Sequence, residues 1–229
     1  MIRVISGKCK GLKLQVPPWY ITRPTIDRVR EAIFSMLQFE VKDAIVLDAF
    51  AGSGVMGIEA LSRRAAFCDF VDTNRIAIDV IKSNLQTAKF KDNFCIYNMK
   101  FEKFIKSDIK NKRYDIIFFD PPYSGKIKMS YAKKKISTKF VSQVMNRTLN
   151  FNVPGIYDKS LDHTTNSFNS DCLIIGDFID FIVKNGILSR GGKIVFECDE
   201  KPEQFGTLVK ISKEKRYGNT KIFVLESKM

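Results

Sequence analysis

The chain predicts an α/β protein built on a doubly wound, Rossmann-like parallel sheet. Three observations point there. Apolar runs of strand length at 44–50, 66–72, 94–97 and 114–119 alternate with amphipathic helical stretches, the pattern of parallel β-α-β units. Ala51-Gly52-Ser53-Gly54-Val55-Met56-Gly57 joins the first of those strands to a helix. Asp120-Pro121-Pro122-Tyr123 ends the last of them, because two prolines cannot continue a ladder. In open α/β sheets ligands bind at such strand ends.

In chain order, residues 2–16 place Ile2, Val4, Leu12, Leu14 and Val16 on either side of Lys8-Cys9-Lys10-Gly11. Apolar alternation around a glycine-containing turn predicts a β-hairpin, with Arg3, Lys8, Lys10 and Lys13 facing solvent. A lone hairpin is barely stable in water, so this arm is expected to rest on the main domain or on a partner. Thr25 is placed to cap a helix running to about Gln38, with Val29, Ala32, Ile33, Met36 and Leu37 on its apolar face. Arg23, Arg28 and Arg30 flank its start; they either position phosphates or pair with Asp27 and Glu31. Asn74 caps the helix after the second strand, which carries Ile76, Ala77, Val80, Ile81, Leu85 and Ala88. Residues 124–171 have no sustained period and are rich in Lys, Ser, Thr and Asn. A connection of that length inside a compact domain is either functional or disordered. A helix at 174–183, a strand at 193–198 after the Gly191-Gly192 turn, and an antiparallel hairpin around 216–220 complete the sheet. The expected division is an arm at 1–21 and a domain at 22–229 interrupted by a basic insertion at 124–171.

Composition narrows the function classes. At 229 residues and 45% hydrophobic, the chain buries a full core. No apolar run approaches the ~18 residues of a membrane span, and the N-terminus lacks a secretory apolar core. Five cysteines without a C-x-x-C pair argue against a zinc ribbon or a disulfide framework and fit a reducing cytoplasm. A single histidine, His163, leaves nothing for a Ser-His-Asp triad or a His-ligated metal, so no metal is expected. The net charge of +13 is uneven: residues 1–30 carry +6, residues 124–171 carry +5, and the remainder +2. Charge confined to appendages suggests a polyanion surface.

Gly52, Gly54 and Gly57 match G-x-G-x-x-G, and Asp72 ends the next strand about twenty residues on, which taken literally is a dinucleotide fingerprint. Asp48, immediately before the turn, argues against NAD: its carboxylate would repel a pyrophosphate and would welcome a cationic head. S-adenosylmethionine has an ammonium, a sulfonium and no phosphate, and its ribose hydroxyls give Asp72 a role. The carboxylate and aromatic ring of Asp120-Pro121-Pro122-Tyr123 suit a planar, amine-bearing base.

Thr22-Arg23-Pro24-Thr25 with Asp27-Arg28-Val29-Arg30-Glu31, Asp48-Ala49-Phe50-Ala51-Gly52-Ser53-Gly54, Asp120-Pro121-Pro122-Tyr123 and Arg216-Tyr217-Gly218 resemble the RsmD family. Its members methylate the exocyclic N2 of a guanine in small-subunit (16S) ribosomal RNA. The resemblance runs over 1–123 and 173–226. It implies a class I methyltransferase sheet and S-adenosylmethionine as cofactor. It also implies cofactor contacts from Asp48, Phe50, Gly52, Ser53, Gly54 and Asp72, and catalytic roles for Asp120, Pro121 and Tyr123. Asn98 stands where the family usually has an acidic residue near the adenine amine, and its amide oxygen is a substitute acceptor. The long insertion departs from the family's compact form. Arg3, Lys8, Lys10, Lys13, Arg23, Arg28 and Arg30 are the expected RNA contacts, with ribosomal RNA or an assembling small subunit as partner and the protein a monomer. Three rivals are a DNA adenine-N6 methyltransferase, an NAD-dependent oxidoreductase and a non-catalytic RNA-binding assembly protein.

Overall fold

A computed structural model describes residues 2–18, 26–107, 112–121, 167–199, 201–202 and 204–229. Thr25, Pro122, Tyr123, Arg23 and most of the insertion lie outside those residues. Seven strands form the central sheet: β3 (Ile45–Asp48), β4 (Phe67–Asp72), β5 (Phe94–Asn98), β6 (Tyr114–Phe119), β7 (Leu188–Cys198), β8 (Val209–Tyr217) and β9 (Thr220–Ser227). Their order is β5-β4-β3-β6-β7-β9-β8. Strands β3 to β7 are mutually parallel, and β9 runs antiparallel to β7 and β8. The chain winds outward from β3 to β5, then crosses back to β6, so the winding reverses between β3 and β6.

The apolar runs are continuous because both sheet faces are covered, as expected of parallel strands. Val46, Phe70, Ile116, Phe118 and Val195 face one core, with α1 (Asp27–Met36), α2 (Val55–Ser62) and α3 (Arg75–Thr87). Leu47, Val71, Ile117, Phe119 and Phe196 face a second, with α4 (Phe101–Phe104) and α5 (Ser167–Lys184). The buried face of α3 is Ala77, Ile78, Ile81, Asn84 and Leu85; Ile76 is left exposed. Asn74 caps that helix, its side chain accepting from the backbone of Ile76 and Ala77. Strand β7 begins five residues earlier than its apolar run suggests. Gly191 and Gly192 are absorbed in an irregularity, where Tyr114 pairs with Leu188 and Ile116 with Lys193. Helix α5 likewise begins at Ser167, inside the span expected for the insertion.

The arm is a hairpin of two-residue strands, β1 (Ile2–Arg3) and β2 (Lys13–Leu14), docked on the main domain. Ile2, Val4 and Leu14 enter the first core. The ladder is too short to hold the arm, and buried side chains of the helices take over. Glu59, fully buried on α2, accepts from the backbone of Ile5 (2.7 Å) and Ser6 (3.0 Å) and from Arg63 Nε (2.7 Å). The Ser62 hydroxyl donates to the Ser6 carbonyl and accepts from Cys9 N–H. Gly7 turns with φ +85°, and a side-chain carbon there would meet the Ser62 carbonyl oxygen at 2.0 Å. On α3, Asn84 accepts from Gln15 N–H (2.8 Å) and donates to the carbonyls of Gln15 (2.9 Å) and Ser53 (3.0 Å).

Candidate active site

Asp48, Asp72, Asn98 and Asp120 all come to the carboxyl end of the sheet, one strand each, across the reversal between β3 and β6. Their positions follow from the strand ends, and the turn after β3 is fixed by its glycines. Gly54 takes a left-handed conformation (φ +72°) at the start of α2. Gly57 lies where a side-chain carbon would be 2.3 Å from the Phe70 ring and 2.6 Å from Cys68 Sγ, so only glycine lets α2 approach the sheet this closely. That approach brings Gly57 N–H to 3.0 Å from Asp48 Oδ2.

Asp48 is 4% exposed. Burial raises its pKa to about 7, with the Asp72 charge adding to the rise and the Gly57 N–H opposing it. A carboxylate held in so dry a place gains most when a cation arrives. Asp72 ends β4 and braces the turn: Oδ2 accepts from Gly52 N–H (2.8 Å) and Oδ1 from Asn74 N–H (2.7 Å). Each oxygen keeps a further lone pair for a hydroxyl donor. Burial raises the Asp72 pKa against the backbone N–H groups that lower it. Asn98 pairs with Asp72 across β4 and β5, and its Nδ2 donates to the carbonyls of Asp72 (3.1 Å) and Thr73 (3.0 Å). Two carbonyl neighbours fix the amide nitrogen, so Oδ1 is the outward acceptor. Ser53 is buried in the turn. Phe50 packs edge-on to Phe119 and tilted against Phe101, each at 5.3 Å between centroids.

Asp120 follows β6. It is exposed to solvent. Desolvation by the surrounding protein atoms pushes its carboxyl above the ordinary range, and the charges of Glu197, Asp48 and Asp199 add to the rise. Glu197 and Asp199 were not evident in the sequence as site residues. They become so through the β6–β7 register, which pairs Phe119 with Phe196. In a chain of +13, the mouth thus collects five carboxylates. Such a place suits a ligand that carries positive charge and no phosphate.

The basic residues divide differently. Arg3, Lys8, Lys10, Lys13 and Arg28 are exposed. Arg30 is a correction: it is fully buried, donating to the Arg3 carbonyl (2.5 Å) and to Asp27 Oδ1 (3.1 Å). It lies on the inner face of α1 beside Val29 and Ile33, and it anchors the arm instead of meeting phosphate. Arg3 pairs with Asp27 at 3.2 Å. Lys8 and Lys10 lie far from Asp120. Lys8 N–H donates to the carbonyl of Ser62, the last residue of α2, and its ammonium lies 4.2 Å from the Phe90 ring centroid, just past α3. Helix ends of β-α-β units lie at the amino end of the strands, opposite the mouth. Glu59, Ser62 and Asn84, which hold the arm, also escape a sequence reading. Their one signal is a polar residue at a helix position whose spacing says buried.

The residues at the mouth fit S-adenosylmethionine: a buried anion at the turn, a braced carboxylate at the end of β4, and an outward amide oxygen at the end of β5.

The family model described as Conserved hypothetical protein 95 matches residues 2–146. Ribosomal RNA small subunit methyltransferase D of Escherichia coli (strain K12) is 41% identical over 122 residues, covering 53% of this chain and 60% of that protein. YlbH of Bacillus subtilis (strain 168) is 42% identical over 123 residues, covering 53% of this chain and 67% of that protein. The matched part therefore spans about three fifths to two thirds of these curated relatives. The solved structure of yhhF from Escherichia coli superposes with a TM-score of 0.67 at 27% identity, over 99% of this chain and 97% of that one. Sheet order, glycine turn and family match agree: the chain carries the class I methyltransferase fold and belongs to the RsmD family.

Proposed function

We propose that this protein transfers a methyl group from S-adenosylmethionine to the exocyclic N2 amine of a guanine in small-subunit ribosomal RNA. The observation that carries the reading is the place of Asp120, at the end of β6 and at the reversal of the sheet, beside a cofactor turn lined by Asp48 and Asp72. S-adenosylmethionine supplies a methyl group already activated on sulfonium, so neither a metal nor a covalent enzyme intermediate is required. Asp48 pairs with the ammonium, Asp72 accepts from the ribose hydroxyls, Asn98 Oδ1 accepts from the adenine amine, and Phe50, Gly52, Ser53 and Gly54 shape the pocket.

The nucleophile is an aryl amine whose lone pair is conjugated into the base. The Asp120 carboxylate and the Pro121 carbonyl accept its two N–H bonds and orient that lone pair. Positioning supplies much of the rate, and the carboxylate stabilises positive charge growing on nitrogen. As the N–C bond forms and the S–C bond breaks, the excess proton on nitrogen passes to Asp120. Tyr123 stacks on the base, a contact worth roughly 1–3 kcal/mol. The base reaches this pocket unpaired or flipped out. Arg3, Lys13, Arg23 and Arg28 hold phosphates near the arm, with Lys8 and Lys10 further along the same RNA. A cytoplasmic monomer acting on ribosomal RNA or an assembling subunit fits this reading.

The test is methyl mapping of small-subunit ribosomal RNA from cells lacking the gene, with restoration by the purified protein. Loss of one N2-methylguanine is expected. Transfer to adenine in duplex DNA, with intact ribosomal methylation, would replace the reading with the DNA alternative.

A further inference from the structure

The reversal of the sheet divides the mouth into two halves. Strands β3, β4 and β5 bring Asp48, Asp72 and Asn98 to the cofactor half; β6 and β7 bring Asp120 and Glu197 to the other. Register places Glu197 next to Asp120. Phe119 pairs with Phe196, so the following residues stand on neighbouring strands about 4.8 Å apart. Phe119 and Phe196 both face the second core. Side chains alternate along a strand, so Asp120 and Glu197 both turn to the other face, as Asp48 does. Ile222, the cross-strand partner of Glu197, belongs to that first core and confirms the side. Glu197 is half-buried at the rim.

Holding an amine takes one carboxylate, and the acceptor half has two. Guanine explains a second. Its N1–H lies directly beside the N2 amine, two donors along one edge. Adenine and 2-aminopurine have a lone pair at N1 instead. We propose that Glu197 is a specificity-determining residue of this site, accepting the N1–H of the flipped guanine while Asp120 holds its N2 amine. The proposal rests on the guanine-N2 reading above. Glu197 then selects in two ways: it accepts from guanine, and it repels the N1 lone pair of purines that lack that proton. Among charged neighbours, Glu197 acts most strongly on Asp120, as expected of adjacent positions on neighbouring strands.

The experiment compares two versions of the ribosomal RNA substrate once the acceptor nucleotide is mapped. One carries guanine there; the other carries 2-aminopurine, which keeps the amine and loses the N1 proton along with the 6-oxo group. The ratio of their kcat/KM values is measured for the wild-type protein and for Glu197→Gln, whose amide can donate to N1. Binding of S-adenosylmethionine is followed by calorimetry in both. The wild type should prefer guanine strongly. Glu197→Gln should shrink that preference roughly ten- to a hundredfold, the worth of one charged hydrogen bond, with cofactor affinity unchanged. An unchanged ratio overturns the proposal. So does a loss of cofactor binding, which would assign Glu197 to the other half. Should Glu197→Gln fail to fold, Glu197→Ala takes its place, with the same ratio measured and the same two results overturning the proposal. A wild-type protein that methylates no guanine in ribosomal RNA removes the functional reading itself, a result distinct from an unchanged ratio.

Discussion

The mouth of the sheet and the N-terminal arm treat charge in opposite ways. At the mouth, anionic residues are drawn together: Asp48 is nearly sealed, and Asp120, though exposed, stands near the charges of Glu197, Asp48 and Asp199. On the arm, cationic side chains stay in water while the backbone is held by buried polar groups of the helices. Each region therefore stores its function in a different form. The mouth holds strained electrostatics that a cationic ligand relieves. The arm holds a rigid backbone that displays charge to a polyanion.

The largest effect is expected from breaking the mouth on its acceptor side. Asp120→Ala should lower kcat by roughly a thousandfold or more, measured as methyl transfer to ribosomal RNA, because it removes both positioning and charge stabilisation. Calorimetry should still detect S-adenosylmethionine. Retained transfer would sink the mechanism.

Breaking the arm's attachment should come next. Glu59→Ala strands two backbone N–H groups and Arg63, and should destabilise the protein by about 3 kcal/mol in denaturant unfolding. If the variant is as stable as the wild type, the arm is not held by Glu59.

Asp48 sharpens the contrast through pH. Its folded pKa of about 7 lies above the ordinary value, so its contribution to stability is full in acid and is lost as pH rises through 7. Cofactor binding has the opposite sign, because the ammonium needs the anion. Affinity for S-adenosylmethionine should therefore fall as pH drops below about 7. Asp48→Asn should flatten that dependence, weaken binding, and stabilise the cofactor-free protein at pH 8 by about 2 kcal/mol. A pH profile of affinity unchanged in Asp48→Asn would remove the Asp48 pairing.

The smallest effect belongs to the arm's display. Replacing Lys8 and Lys10 by Gln should weaken RNA binding only a fewfold near physiological salt and reduce the salt slope by up to about 1.5. An unchanged slope would remove the far end of the arm from the RNA surface.

Much of this was legible in the residues themselves. Buried parallel strands read as unbroken apolar runs, and the turn after β3 needs its glycines for reasons that any βα unit shares. Asp48 and Asp72 follow, because strand ends fix where they emerge. The reading failed where tertiary partners decide. Arg30 has the residue type of a phosphate contact, and partners such as the Arg3 carbonyl, arriving from outside α1, and Asp27 make it a core residue. Gly191-Gly192 looked like a strand boundary, yet β7 passes through it with a shift in register. Glu197 has no local signature; its neighbour is Asp120, 77 positions away along the chain and one strand away in space.

The arm's fasteners also set an order of events during synthesis. Residues 2–16 leave the ribosome before their partners Glu59, Ser62 and Asn84. Nothing can seat the arm until the second and third helices have been made and packed. Its apolar Ile2, Val4 and Leu14 stay exposed for that interval, some 70 residues of elongation or about 4–14 s at ordinary bacterial rates. The arm is thus secured only after helices that follow it in the chain, and Asn84 closes that step by tying Gln15 to the cofactor turn at Ser53.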